Sequence, residues 1–218
     1  METSLHSSIK RWYARPGDRL EAMMEGYIID ILRDDLLIEI QTKNFSAISR
    51  KLYKLLKSHR IRLVYPIPKE KYIVKISPYD GSILSRRKSP KHGRLIDIFD
   101  ELIRIPAIIN EDNFMFEALF IKEEDITCQD GKGSWRRRGI SIVDRKLTDV
   151  FESVQFACKD DFYIFLPDNL SYPFTNKDYA RCFGCTISKA RKVTYCLKKM
   201  GIIAEKGRIR DGILYCVK

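Results

Sequence analysis

The chain has 218 residues, 44% of them hydrophobic, with 40 Lys and Arg against 29 Asp and Glu, a formal net charge of +11. That length holds one or two domains and a sizeable core, and the composition excludes a disordered chain. No apolar run reaches the roughly 18 residues of a membrane span, and METSLHSSIKRW lacks the apolar stretch of a secretory leader. The positive balance asks for a polyanionic partner, nucleic acid ahead of an anionic membrane surface. Six cysteines without a small stapled framework fit a reduced, cytoplasmic chain.

Taken in order, residues 1–17 read as a loose lead-in closed by Pro16-Gly17. Asp18 is placed to cap a helix, DRLEAMME, that stops at Gly26, with Leu20, Met23 and Met24 on its apolar side and Glu21 and Glu25 one turn apart. Gly26 to Lys43, GYIIDILRDDLLIEIQTK, reads as a tight β-hairpin with Asp34 and Asp35 in the turn. A two-residue loop pairs Arg33 with Leu36, and the ladder then sets Asp30 opposite Glu39. NFSAISRKLYKLLKSH is an amphipathic helix striped by Ile48, Leu52, Leu55 and Leu56, capped by Asn44 or Ser46, with His59 near its end. RIRLVYPI is a strand that Pro66 should end, and strand–helix–strand implies a right-handed crossover to a parallel neighbour. KYIVKIS is a further strand, closed by PYDG.

The stretch ILSRRKSPKHGR is a basic run, with Arg86, Arg87, Lys88, Lys91 and Arg94 suited to phosphates or simply to solvent. RLIDIFDELIRI is an amphipathic helix and FMFEALFIKEEDI a strand. GKGSWRRRG sets Trp135 among glycines with Arg136, Arg137 and Arg138, a composition for a backbone-contacting loop with the indole on a base, or for ordinary packing. Residues 140–156 fit strand or a mixture. KDDFYIFLP is a short helix, FTNKDYARCFG a second one capped by Thr175, and TISKARKVTYCLKKMG a third after a turn at Gly184. The third helix turns Ile187, Ala190, Val193 and Leu197 inward and offers Ser188, Lys189, Arg191, Lys192 and Thr194 outward. IIAEKGRIRDGILYCV makes a ribbon with Lys206, Arg208 and Arg210 at its basic tip. Two helices at a short turn followed by such a ribbon form a winged helix-turn-helix, whose second helix can enter a major groove. Cys182-x-x-Cys185 lacks a second ligand pair, so ordinary cysteines are the better reading than zinc.

Two opposed carboxylates about 4.5–5.5 Å apart at Cβ repel each other unless a cation lies between them. Magnesium suits such a place, since one or two carboxylates, waters and substrate phosphates complete its shell. Asp30 followed after eight residues by Glu39-Ile40-Gln41, with the order helix, strand, strand, crossover helix, strand over residues 18–67, resembles the PD-(D/E)xK nuclease superfamily, which includes restriction endonucleases and Holliday-junction resolvases. The resemblance departs in two places: no proline precedes Asp30, and Gln41 stands where the family's lysine is usual.

The resemblance implies an α/β fold, with a restriction-endonuclease-like mixed-sheet core over residues 1–157 and a winged-helix domain over 158–218. It implies a Mg²⁺-dependent DNA endonuclease, with Mn²⁺ able to substitute. Asp30, Glu39 and the Ile40 carbonyl would hold the metal, with Glu21 as a further ligand. Gln41 or Lys43 would position water and the developing charge. The partner would be double-stranded or branched DNA, and a homodimer would cut two strands. A non-catalytic DNA-binding or regulatory protein on a degenerate nuclease fold, and an RNA-directed nuclease, are the alternatives.

Overall fold

The computed structural model describes residues 4–218, so the first three residues of the expected lead-in lie outside the described residues. The remainder of that lead-in is not loose. Ser4–Tyr13 is a helix, α1, because Leu5 and Ile9, four apart, bury one side of it. Strands β1 (Arg19–Met24), β2 (Tyr27–Arg33) and β3 (Leu36–Ile40) form an antiparallel meander. Helix α2 (Phe45–Leu55) then crosses over to β4 (Arg60–Ile76), which lies parallel to β3. After β5 (Ile83–Lys88), a 3-10 turn and short α3 (Phe99–Leu102) lead to β6 (Phe114–Gln129), parallel to β4, and β7 (Ile140–Phe156), antiparallel to β6. The sheet order is β1-β2-β3-β4-β6-β7, with β5 paired to the outer part of β4.

The helix expected over Asp18–Glu25 is strand β1 instead. Leu20 and Met23, read as its apolar side, are exposed, and Ala22 is buried. Glu25 and Gly26 both take positive φ, 48° and 83°, the conformation a two-residue hairpin loop needs, and Met24 pairs with Tyr27 across it. Asp18 caps no helix; its carboxylate takes the Arg33 guanidinium at 2.8 and 2.9 Å, and that pairing holds its pKa down.

Pro66 does not end a strand, and residues 60–76 run as one. Strand β3 pairs with β4 only as far as Val64, and the pairing of β4 with β5 begins only at Tyr72. Pro66 and Pro68 fall between, where one edge of β4 has no strand beside it while β6 pairs along the other. A missing N–H is tolerated on such an open edge. The basic run 86–94 is likewise not all loop, since Arg86 to Lys88 lie on β5. Residues 140–156 are strand throughout.

Two apolar layers cover the sheet. Leu5 and Ile9 of α1 pack with Ile31, Ile38, Ile40 and Val64 on one face. On the other, Phe45, Leu52 and Leu55 of α2 pack with Leu37, Leu63 and Phe116. This second core continues through Phe156, Phe162 and Phe165 to Tyr179, so the segment from residue 158 onward shares it. That segment holds a 3-10 stretch (Lys159–Phe165), α4 (Asn176–Phe183), a turn at Gly184, α5 (Ile187–Met200) and the ribbon β8–β9 (Ile203–Ile209, Gly212–Val217). The inward stripe of α5 holds at Ala190, Val193 and Leu197, whereas Ile187 is exposed and Thr194, read as outward, is buried on Asn176.

Thr175 caps α4: its hydroxyl accepts the Asp178 N–H at 3.3 Å and the Asp178 carboxylate reaches back to the Thr175 N–H at 2.9 Å. Thr175→Ala is expected to cost about 1 kcal/mol in a urea melt. An unchanged midpoint would mean the cap contributes nothing. Among the described residues no helix is long and apolar enough to cross a membrane.

Candidate functional site

The hairpin β2–β3 closes as its turn chemistry dictates, with Arg33 across from Leu36, Leu32 from Leu37 and Ile31 from Ile38. Asp34 takes the positive φ, 51°, that the turn requires. The pairing does not continue to an Asp30–Glu39 backbone pair. Asp30 places its own carboxylate in the ladder instead, where Oδ2 accepts the Ile40 N–H at 2.8 Å. The strand's alternation breaks at this point. Ile31 packs on the α1 side, yet Ile29, two residues away, packs on the α2 side. The same Asp30 oxygen lies 3.2 Å from His6 Nε2 of α1.

Glu39 shares the α2 side with Leu37 and is 5% exposed. Its carboxylate ion-pairs with the Lys51 ammonium of α2, which also donates to the Ile28 carbonyl. Burial, and next the nearby charge of Asp30, push the Glu39 carboxyl up to about 7, against the pull of Lys51. The two acids therefore flank the break in the β2–β3 ladder, near enough for the charge of Asp30 to act on Glu39. Asp30 is drawn toward α1 and Glu39 toward α2, not stacked on one flat face as the register alone implied.

The other expected members are placed elsewhere. Glu21, at positive φ on β1, is largely exposed and pairs with Lys10 at 2.7 Å. Gln41 turns its amide to the Lys43 carbonyl at 2.6 Å, and Lys43 is exposed. The amine beside the acids is Lys51. It adjoins the apolar stripe of α2, three residues after Ile48 and one before Leu52, and that position on a crossover helix is the signal that could have found it. His6 carried no such signal, because α1 itself was not legible. Asn44 stands at the start of α2 without a side-chain cap bond; Glu101 accepts the Phe45 N–H there, at 3.0 Å. His59 pairs with Glu25 at 3.0 Å.

Among the described residues, no three His, Cys, Asp or Glu side chains converge to hold a metal. The hard oxygen donors Asp30 and Glu39 still fit a magnesium-like ion, for which two carboxylates suffice when water and phosphate oxygens complete the shell.

The basic residues read as DNA-contacting divide into two sets. Several are engaged inside the molecule: Arg86 with Glu124 at 2.8 Å, Lys88 with Glu70 at 3.1 Å, and Arg94 with the Phe183 and Gly184 carbonyls. Lys189 pairs with Asp97 and Asp100, and Lys192 with Asp100, each at 2.7 Å. Burial alone would raise the Asp100 carboxyl, but the two ammonium groups hold it below its usual value. Two of the three basic residues at the N-terminal end of α5, Lys189 and Lys192, are thus spent on docking α5 against the 3-10 turn and α3. The others are exposed: Arg87 and Lys91, Trp135 with Arg136, Arg137 and Arg138, Ser188 and Arg191 on α5, and Lys206, Arg208 and Arg210 on the ribbon. Cys182 and Cys185 are free thiols, as are the other four cysteines.

Residues 3–157 match the model of a family described as a domain of unknown function, DUF8091. A curated protein of Treponema pallidum (strain Nichols), called an uncharacterized protein, is 35% identical over 159 residues, 72% of this chain. The chain spans 63% of that relative's length. No solved structure matches the chain.

Proposed function

The chain belongs to the DUF8091 family, a domain of unknown function, and from its own geometry we propose that it is a cytoplasmic, Mg²⁺-dependent endonuclease that hydrolyses phosphodiester bonds in DNA. The observation that carries this reading is the Asp30–Glu39 pair at the ladder break, one acid raised to about 7 by burial and by the other, with an amine against it. The order α1-β1-β2-β3-α2-β4 around that pair supports a restriction-endonuclease-like core, and the helix–turn–helix and ribbon of the tail support a winged-helix segment.

Asp30 and Glu39 would hold the cation, which supplies Lewis acidity to the scissile phosphate and lowers the pKa of attacking water. Lys51, carrying three donors on a flexible stem, can pass from Glu39 to a phosphoryl oxygen and stabilise charge developing there. Gln41, its amide turned to the Lys43 carbonyl, does not offer that donor. His6 and the Ile40 N–H hold the Asp30 carboxylate in one orientation. Without a cation, burial and the charge of Asp30 raise the Glu39 carboxyl to about 7, and a bound cation would favour its charged form.

The same turn of Gln41 favours a second reading, a DNA-binding or regulatory protein on a degenerate nuclease fold. A cleavage panel separates the two: linear duplex, single strand, flap, four-way junction and RNA, each with Mg²⁺, Mn²⁺ or chelator. The nuclease reading expects DNA cut with either metal and intact in chelator. Binding indifferent to Mg²⁺ with every substrate left whole would establish the second reading.

A further inference from the structure

Beyond the prolines, β4 and β6 run on past the core and carry β5 and β7 with them, a twisted four-strand arm in the order β5-β4-β6-β7. One side of this arm is hollowed into a groove of about 620 Å³. Six cations line it, Lys71, Lys75, Arg87, Lys91, Arg137 and Arg145, against a single lining acid, Asp125. Asp125 is already taken, by Lys71 at 3.3 Å and Arg145 at 3.0 Å, and Lys71 also holds Glu123 at 2.6 Å. Lys75, Arg87, Lys91 and Arg137 have no acidic partner among the described residues. Like charges gathered in a concavity with low-dielectric walls focus a positive field that a polyanion would neutralise.

The floor narrows the choice of polyanion. It is partly apolar, with half-buried Ile73, Ile140 and Ile142 among Ser85, Ser89 and Thr127. A free phosphate has no use for such a floor, and a duplex presents its phosphates and keeps its bases stacked away from it. Trp135 stands beside Arg137 on the same turn, 83% exposed, with the Arg136 guanidinium 5.4 Å from its ring centre. An indole free to stack, a basic wall and a partly apolar floor are what an unpaired nucleic-acid strand engages. The volume falls in the range of about 300–1,000 Å³ that encloses a small ligand, enough for a nucleotide or two of a strand.

We propose that the concave face of the β5-β4-β6-β7 arm binds single-stranded nucleic acid, its phosphates on Lys75, Arg87, Lys91 and Arg137 and a base on Trp135. The assignment rests on the nucleic-acid reading of the chain but not on hydrolysis. Lys71 lies seven residues past Val64, which pairs with Ile40, so the groove begins roughly 23 Å along β4 from the carboxylates. The strand that occupies it is then the unpaired part of a branched or opened nucleic acid, held apart from the carboxylates.

The test is fluorescence anisotropy on the full chain carrying Asp30→Asn, in chelator, with labelled single-stranded DNA, single-stranded RNA of the same sequence, and duplex. Lys75→Glu with Arg87→Glu is expected to weaken single-strand binding at least 30-fold and to shrink the slope of log K against log salt by about 0.7 for each phosphate no longer neutralised. Trp135→Ala, at an exposed position that folding does not need, is expected to cost about tenfold. Lys57→Glu, at an exposed position just past α2 and outside the groove, is expected to leave single-strand affinity in place. DNA or RNA binding that weakens in this way supports the groove, and the tighter of the two names the sugar. Equal affinity in the groove variants, duplex binding that weakens in them as much as single-strand binding, or inorganic polyphosphate competing as well per phosphate would each overturn it. Cleavage is not read in this experiment, so failure of the groove and failure of the nuclease reading remain distinct results.

Discussion

Asp30→Asn is expected to lower metal-dependent cleavage by on the order of 10³-fold while DNA affinity in chelator stays within about twofold. The substitution keeps size and hydrogen-bonding reach, so the amide oxygen can still accept the Ile40 N–H that Asp30 Oδ2 accepts now. What it removes is the negative charge. On the proposed reading a hard divalent cation would lose one of its two protein carboxylates, and Glu39 loses the neighbour whose charge raises it. The Glu39 carboxyl should therefore titrate lower in the variant, a change visible by carbon-13 NMR of labelled glutamate whether or not any substrate is cut. Cleavage by pure Asp30→Asn protein at the wild-type rate would remove the carboxylate pair from the chemistry. An unmoved Glu39 titration would show that the two acids do not interact.

The second large effect is on stability against pH. The Glu39 carboxyl sits near 7 in the folded chain and near its ordinary value of 4.5 once unfolded. Between those values the folded state holds more protons than the unfolded one, so stability falls as pH rises from about 4.5 to about 7 and levels off above. The loss is on the order of 3 kcal/mol. Glu39→Gln should flatten that slope, measured as urea midpoints from pH 4.5 to 8 in chelator. A wild-type slope in the variant would assign the loss to other groups. Asp18 and Asp178, held low by hydrogen bonds, act in a separate window; the stability they contribute is lost as pH falls below the ordinary carboxylate range. A cation held by Glu39 and Asp30 favours the charged form, so Mg²⁺ should raise the melting temperature more at pH 8 than at pH 5.

Much of the hairpin could be read from residues alone. Asp34-Asp35 between two aliphatic arms specifies a tight turn and the Arg33–Leu36 pair, and both are observed. The crossover helix α2 and the parallel neighbour β4 followed from the 3.6-residue stripe and from chain connectivity. The caps and turns of the tail were equally local, with Thr175 and Gly184 doing what their side chains and backbone freedom allow.

Misreadings arose where a partner far along the chain outweighs local preference. DRLEAMM has helix-forming composition, yet β2 offers it a full edge to pair with, and Glu25-Gly26 supplies the turn that brings it there. Pro66 would end most strands, but β4 needs no donor on that edge between the end of its pairing with β3 and the start of its pairing with β5. Lys189 and Lys192 look like a DNA-reading face until Asp97 and Asp100, about ninety positions earlier, are folded against them.

Positive charge, two acids on one hairpin and a helix-turn-ribbon tail are thus written in composition, turn chemistry and periodicity, all of which act over a few residues. Which amine stands against Glu39, which oxygen of Asp30 enters the ladder, and which cations are left without a counter-charge were settled only by packing. Charge neutralisation and burial act through space, between groups the chain keeps far apart until it folds.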